Sequence, residues 1–528
     1  MRRVPAPRWR STPVSGGINS HPCLHPPRAA PSGVSRRRGG WLWALGLLVL
    51  GVIEVSACAR PAGGAEGERR VRLTPCRLEG TSAPAQCGTY EVFEDRATRT
   101  GRKIPLHVVV VPALSAQAEA DPLFVLAGGP GQAASRSGVL PVLEQIRRHR
   151  DIVLVDPRGT GDSNPLRCDA LSGAQSSLAA RFDDRGDAEA MQRCRAGWDA
   201  DVRLYTTSIA MDDLDDVRQA LGYARVNLWG VSYGTRAALV YMRQHPERVR
   251  TAILDGVAPM GLYLPLYAAR DGQRALDALL AQCEQDVACS AAYPALRART
   301  EALLARLEAT PAKARVAHPL TGVPEDFTLT RRAFLAEVFS LLYSPEQAAL
   351  VPLMLDRATR EDWAPLAALA FGGGRALEKS MSPGLFFAVV CAEDAPFFSV
   401  ADAEREARGT WFGADSPRSV LEVCSRWPKA TLPSGYREPV VSAVPTLLLS
   451  GELDPVTPPP WAEEAKRTLS HSLHVVVPGV GHNTVAAECA RTLMSEVLSR
   501  GSVDGLSPAC GANLKRPPFF TSFAGPVP

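Results

Sequence analysis

The chain has 528 residues, 46% hydrophobic, 22% charged and 6% aromatic, which is enough apolar material for a sizeable core and excludes a disordered or fibrous protein. Its 43 Gly and 44 Pro follow no short period, so collagen-like and simple low-complexity chains are excluded as well. The formal charge of +4 divides unevenly, because residues 1–57 hold eight Arg against Glu54 alone, and the remainder carries −3; no nucleic acid is therefore expected as a partner.

The first element is a leader. Arg36-Arg37-Arg38 precedes an apolar run from Trp41 to Ile53, and small residues lead into Cys58, the pattern of a secretory signal. The run is shorter than the ~20 residues that a spanning helix needs. Val-Ser-Ala-Cys also resembles a bacterial lipobox, which would make Cys58 a lipidation site and the lipid an anchor to the membrane. Glu54 beside the cleavage site and the 35 residues before the Arg triplet depart from that pattern. Twelve cysteines agree with export: setting aside Cys23 and Cys58, ten remain in close sequential pairs, 76/87, 168/194, 283/289, 391/424 and 489/510. An even set in an exported chain implies disulfides, although spacing does not fix their connectivity. The expected location is the bacterial cell envelope, or a secreted or periplasmic one.

Residues 59–70 are small and polar, a tether. Short β-type runs follow at 90–94, 106–111, 123–126 and 152–155, then a helical stretch at 210–221 and strands at 226–229 and 252–254. Near-continuous apolar strands alternating with helices predict an α/β fold with a mostly parallel sheet flanked by helices. Residues 260–435 change to Ala/Leu/Arg-rich helical spacing, a helical cap. Strands return at 446–449 and 473–477, with a helix over 484–499. The expected organisation is a leader at 1–57, a tether at 58–70, core at 71–259, cap at 260–435, and core with a C-terminal tail at 436–528.

The sharpest motif is Gly230-Val231-Ser232-Tyr233-Gly234, set between a strand and an Ala-rich helical pattern. Small residues two before and two after a serine allow the strained strand-to-helix turn that exposes a nucleophile. A serine hydroxyl needs a base, and the base an orienting acid, in the chain order Ser, acid, His for such a fold. His482 follows the strand HVVVP, and Asp454 follows TLLLSGELD; Glu452 is the rival acid. His471 and His474 sit where that late strand begins, which leaves no case for a metal. The developing oxyanion requires backbone donors. The Tyr233 amide is one by position. The second is expected from Ala127-Gly128-Gly129-Pro130-Gly131, at Gly129 with Gly128 the close alternative. Asp156 and Arg158, after the next strand, are expected to buttress that loop.

Taken in order, Gly-Gly-Pro-Gly, Asp-Pro-Arg-Gly-x-Gly-x-Ser, Gly-x-Ser-Tyr-Gly-Thr, Gly-x-x-Asp-x-x-Thr-Pro and Gly-x-Gly-His resemble the serine exopeptidase branch of the α/β-hydrolases, which holds proline iminopeptidases and tripeptidyl aminopeptidases. The likeness runs from about residue 75 to 510 and leans to the secreted tripeptidyl aminopeptidases, since Ala127 stands where the proline iminopeptidases typically carry His. It implies an α/β-hydrolase fold with a cap insertion and cleavage from the free N-terminus of peptide substrates, with no cofactor. It also implies an anion for the substrate ammonium, for which Glu393 and Asp394 in AVVCAEDAPF are the candidates. The alternative is an esterase or other small-molecule acyl hydrolase of the same fold.

Overall fold

The computed structural model describes residues 71–526, apart from 172–176, 185–187, 373–379 and 513. The leader, the tether and Cys58 lie outside the described residues. In chain order the strands are β1 (Thr74–Arg77), β2 (Pro84–Phe93), β3 (Lys103–Val111), β4 (Leu123–Leu126), β5 (Ile152–Val155), β6 (Val226–Val231), β7 (Val249–Asp255), β8 (Ala312–Ala317), β9 (Pro324–Leu329), β10 (Thr446–Gly451) and β11 (Ser472–Val477). Nine of them form one sheet in the order β1-β2-β3-β5-β4-β6-β7-β10-β11. The three pairings from β1 through β3 to β5 are antiparallel, and every pairing from β5 to β11 is parallel.

The pleat divides this sheet between two cores. Val108, Phe124, Val153, Leu228, Leu254 and Leu448 pack with the helices Thr207–Leu221 and Tyr233–Gln244, whereas Val109, Val125, Leu154, Trp229, Ile253 and Leu449 pack with the helix Glu488–Arg500. Successive residues on a strand point to opposite faces, so a continuous apolar run is the signature of a strand covered on both sides.

The chain between β7 and β10 is an insertion. It contains the helices Ala268–Gln285, Leu296–Ala309, Arg331–Leu341, Val351–Thr359, Pro383–Glu393 and Asp415–Ser425. It also contains the antiparallel hairpin β8–β9, which helical spacing did not predict. In Ala-Lys-Ala-Arg-Val-Ala the inward residues are only half-buried, so the strand has little apolar contrast to announce it. The insertion has its own core around Leu276, Phe334, Val338 and Leu355, and the C-terminal tail returns to it: Phe519 is buried there and the Phe520 carbonyl accepts the Tyr293 hydroxyl at 2.8 Å.

Five disulfides join Cys76–Cys87, Cys168–Cys194, Cys283–Cys289, Cys391–Cys424 and Cys489–Cys510, the nearest-neighbour pairs in sequence. That many cross-links mark a protein that folds in an oxidising, extracytoplasmic compartment.

Candidate active site

The parallel strands β4, β6, β7 and β10 end on one edge of the sheet, and the predicted residues collect on the loops that leave it. Between β6 and the helix Tyr233–Gln244, Ser232 has φ 56° and ψ −125°, outside the regions an L-residue ordinarily occupies. Its neighbours permit this turn. A Cβ on Gly230 would stand 2.3 Å from the Gly234 carbonyl oxygen, and one on Gly234 would stand 2.0 Å from that of Leu126. The turn is fastened by the Ser232 N–H to the Asp255 carbonyl at 2.8 Å, while the Ser232 carbonyl accepts the Thr235 N–H at 2.8 Å and the Thr235 hydroxyl at 2.6 Å.

The strand β10 delivers Asp454 and the loop after β11 delivers His482. Asp454 is fully buried; its Oδ1 accepts the N–H groups of Val456 at 2.7 Å and Thr457 at 2.8 Å, and its Oδ2 accepts the Thr457 hydroxyl at 2.9 Å and faces His482 Nδ1 at 2.8 Å. Burial opposes its charge, but the adjoining His482 and these hydrogen bonds hold the carboxyl below its usual range. An ionised Asp454 can only accept, so the proton of the neutral imidazole stands on Nδ1 and Nε2 is the basic nitrogen. Burial opposes the imidazolium too, yet the charges of Asp454 and Asp255 and the hydrogen bond to Asp454 raise the His482 pKa above 6.5.

His471, His474 and the rival acid Glu452 are occupied elsewhere. His471 meets Asp504 at 3.1 Å, and His474 meets Glu463 at 2.6 Å and Ser450 at 3.0 Å, so the three late histidines have three different carboxylate partners. Glu452 accepts the Gly479 N–H at 2.9 Å and so braces the turn before His482.

The glycine loop after β4 lies against Ser232: a Cβ on Gly128 would be 3.3 Å from the Ser232 Cβ. The Gly128 N–H donates to Gln132 Oε1 at 3.3 Å, and Gly129 stands at φ 108°. The insertion reaches this loop directly. Ser382 N–H donates to the Gly131 carbonyl at 2.8 Å and Ala133 N–H to the Ser380 carbonyl at 3.0 Å, with Met381 laid over Gly129. Asp156 supports the same segment by accepting both the N–H and the hydroxyl of Ser135 at 2.8 Å. Arg158 does not share that task; it pairs with Asp213 at 2.7 Å on the helix Thr207–Leu221.

Glu393 and Asp394 are both at 0% exposure. Glu393 accepts the Thr207 N–H at 2.6 Å, the Thr207 hydroxyl at 2.7 Å and the Tyr436 hydroxyl. Because the Thr207 proton is so committed, the Tyr233 hydroxyl donates to Thr207 Oγ1, 2.5 Å away. Burial pushes the Glu393 pKa up against those hydrogen bonds. Asp394 pairs with Arg236 at 3.0 Å and Arg437 at 3.3 Å. Neither carboxylate, so placed, faces open solvent where a substrate ammonium could meet it. Both belong to a buried polar network that ties the helix Pro383–Glu393 to the elbow helix, and the apolar flanks of AVVCAEDAPF carry both acids inside. Sequence reasoning missed Thr457, which the Asp-x-x-Thr spacing could have indicated. It also missed Tyr343, whose carbonyl accepts the His482 N–H at 2.9 Å and which no motif signals.

Comparison with known proteins agrees with this architecture. A family model described as the alpha/beta hydrolase fold matches residues 121–486. The chain is 26% identical over 510 residues to the serine protease Hip1 of Mycobacterium tuberculosis, a match covering 89% of this chain and 96% of that protein. It is 29% identical over 192 residues to a tripeptidyl aminopeptidase of Streptomyces lividans, covering 33% of this chain and 35% of that one. It is 34% identical over 142 residues to a probable proline iminopeptidase of Streptomyces coelicolor, covering 26% and 33%. With the family model spanning more than half of its length, the chain belongs to the alpha/beta hydrolase fold family, as a serine hydrolase.

Proposed function

We propose that the protein is an exported serine aminopeptidase that releases N-terminal residues or tripeptides through an acyl-enzyme. The observation that carries this reading is the buried Asp454 Oδ2–His482 Nδ1 pair at 2.8 Å, held on the same sheet edge as a serine in a strained strand-to-helix turn. Ser232 Oγ attacks the scissile carbonyl and His482 Nε2 takes its proton, while Asp454 keeps the ring oriented and balances the imidazolium. The Tyr233 and Gly129 amides receive the oxyanion. His482 then gives its proton to the departing amine, and a water molecule, activated by the same nitrogen, hydrolyses the ester on Ser232. The peptide substrate is supported by the names of the relatives, and the step of one or three residues is left to experiment. Export is supported by the signal pattern before Cys58 and by the five disulfides, with Cys58 as the lipid attachment point.

One observation favours the second reading, an esterase or other small-molecule acyl hydrolase: Glu393 and Asp394 are closed off from any substrate amine. The decisive test assays the enzyme beside Ser232→Ala on chromogenic peptides of one, two and three residues, each free and N-acetylated, and on an aryl ester. Cleavage of free-amine peptides alone, abolished in the variant, is the expected result. Ester turnover with no peptide cleavage would reject the peptidase.

A further inference from the structure

Asp255 ends β7, the strand that lies between the elbow strand β6 and β10, and its carboxyl group is fully buried. It is bonded to Ser232 and to the loop that carries His482. Its backbone carbonyl accepts the Ser232 N–H at 2.8 Å. Its Oδ1 accepts the Thr484 hydroxyl at 2.6 Å and the Thr484 N–H at 3.4 Å, two residues beyond His482. Gly256, next in the chain, is pressed against the imidazole: a Cβ there would lie 3.2 Å from His482 Cε1. The other carboxyl oxygen, Oδ2, is buried and has no hydrogen-bond partner among the described residues. An orphan carboxylate oxygen beside a functional pair calls for a reason, because an unpaired charge in the interior is costly.

We propose that Asp255 is a second carboxylate of the site, a positioning residue that holds Ser232 and the His482 loop together and sets the proton affinity of His482 through space. The inference rests on the reading of Ser232 as nucleophile and His482 as base. The groups around His482 are Asp454 and Thr457 from the turn after β10, Tyr343 from the insertion, Asp255 from β7, and Arg274, which donates to the Asp454 carbonyl at 2.5 Å. Burial pushes the Asp255 pKa up to about 6, against the Thr484 hydrogen bonds and the charge of His482. Asp255 therefore gains its charge near pH 6, beside the Thr484-anchored loop that carries His482. When ionised it adds to Asp454 in favouring the imidazolium; when protonated it withdraws that help and leaves His482 a weaker base.

The test uses the full-length protein and Asp255→Asn, Thr484→Val and Ser232→Ala. The readouts are the rate of labelling by a fluorophosphonate probe and the hydrolysis of p-nitrophenyl acetate, from pH 5 to 9. Asp255→Asn keeps an oxygen for Thr484 but removes the charge, so the acid limb of both profiles should move by roughly 0.5 unit toward lower pH. Thr484→Val should slow labelling by about tenfold with the limb where the wild type has it, since the charge is kept. A folded Asp255→Asn whose limb coincides with that of the wild type overturns the proposal. If Asp255→Asn does not fold, Asp255→Ser, also uncharged, carries the same expectation for the limb. Ser232→Ala separates the two readings: residual labelling or turnover in it would remove the assignment of nucleophile itself. An inert Ser232→Ala beside an unmoved limb removes the role of Asp255 alone.

Discussion

The main-chain carbonyl of Tyr343 accepts the N–H of His482 at 2.9 Å, and the two rings meet edge-on, with centroids 5.2 Å apart and planes at 81°. Tyr343 belongs to the insertion, and its ring continues to Phe339 at 5.9 Å and from there to Phe412 at 5.5 Å. His482 is thus positioned from two directions, by Asp454 from the sheet edge and by an aromatic row from the insertion.

Removing that ring should loosen the base without unfolding the sheet. Tyr343→Ala is expected to lower kcat by about fivefold, matching the loss of one edge-on ring pair at roughly 1 kcal/mol. Tyr343→Phe should behave like the wild type, because among the described contacts the hydroxyl makes no hydrogen bond. Steady-state kinetics on any turned-over substrate decide it. A damaged Phe variant would show that the hydroxyl, not the ring, acts.

Thr457 donates to Asp454 Oδ2 at 2.9 Å and its oxygen lies 3.2 Å from His482 Nδ1. Replacing it with Val deprives a buried carboxylate of one charge-assisted hydrogen bond, worth about 1.5–3 kcal/mol. The expected result for Thr457→Val is a kcat lower by about ten- to a hundredfold, with KM little altered, and Thr457→Ser should restore most of it. A Ser variant as slow as Val would mean that the methyl group's packing was the feature lost.

Much of this was legible from the sequence, and the parts that were not share a cause. The predicted strands 123–126 and 152–155 agree with β4 and β5 to the residue, because short apolar runs bounded by Pro122 and Gly128, or by Asp151 and Pro157, have no helical alternative. The strained turn at Ser232 and the meeting of Asp454 with His482 were legible because each depends on local turn chemistry, and the turns are written beside them. The partners of Glu393 could not be named, since Thr207 is 186 residues away and Tyr436 is 43 away, and nothing local encodes either contact. The hairpin β8–β9 was hidden by Ala and Arg, residues that favour helices as single units and form this strand only through its partner.

The buried network makes its own prediction. Glu393→Gln keeps the shape but cannot accept from Thr207 and Tyr436 together without opposing its own NH2 group, so a stability loss of about 2 kcal/mol is expected. With Glu393 engaged by Thr207, which in turn meets Tyr233, activity should fall by the same factor on free and N-acetylated peptides, or on esters. A loss confined to free-amine peptides would restore Glu393 as the ammonium anchor.

The pair His482 and Asp255 should set stability and activity in opposition as pH rises. The base must be neutral to act, so kcat/KM should climb through a midpoint above 6.5, the direction in which Asp454 and Asp255 shift His482. Stability runs the other way. The His482 contribution is fully present below its unfolded pKa of about 6.5 and is lost as pH rises through the higher folded value. Asp255, raised to about 6 by burial, binds its proton more tightly folded than unfolded, so it withdraws stability between its unfolded pKa of about 3.9 and pH 6. Asp454, with its folded pKa lowered, adds stability above about pH 3.9 and loses it as pH falls through its folded value. Asp255→Asn removes one of these terms. Its stability relative to the wild type should therefore improve from pH 4 to pH 7 by about 2 kcal/mol, the scale of a two-unit shift discounted for relaxation. Urea unfolding of both proteins at the two pH values measures it, and a difference independent of pH would mean that Asp255 is ionised throughout.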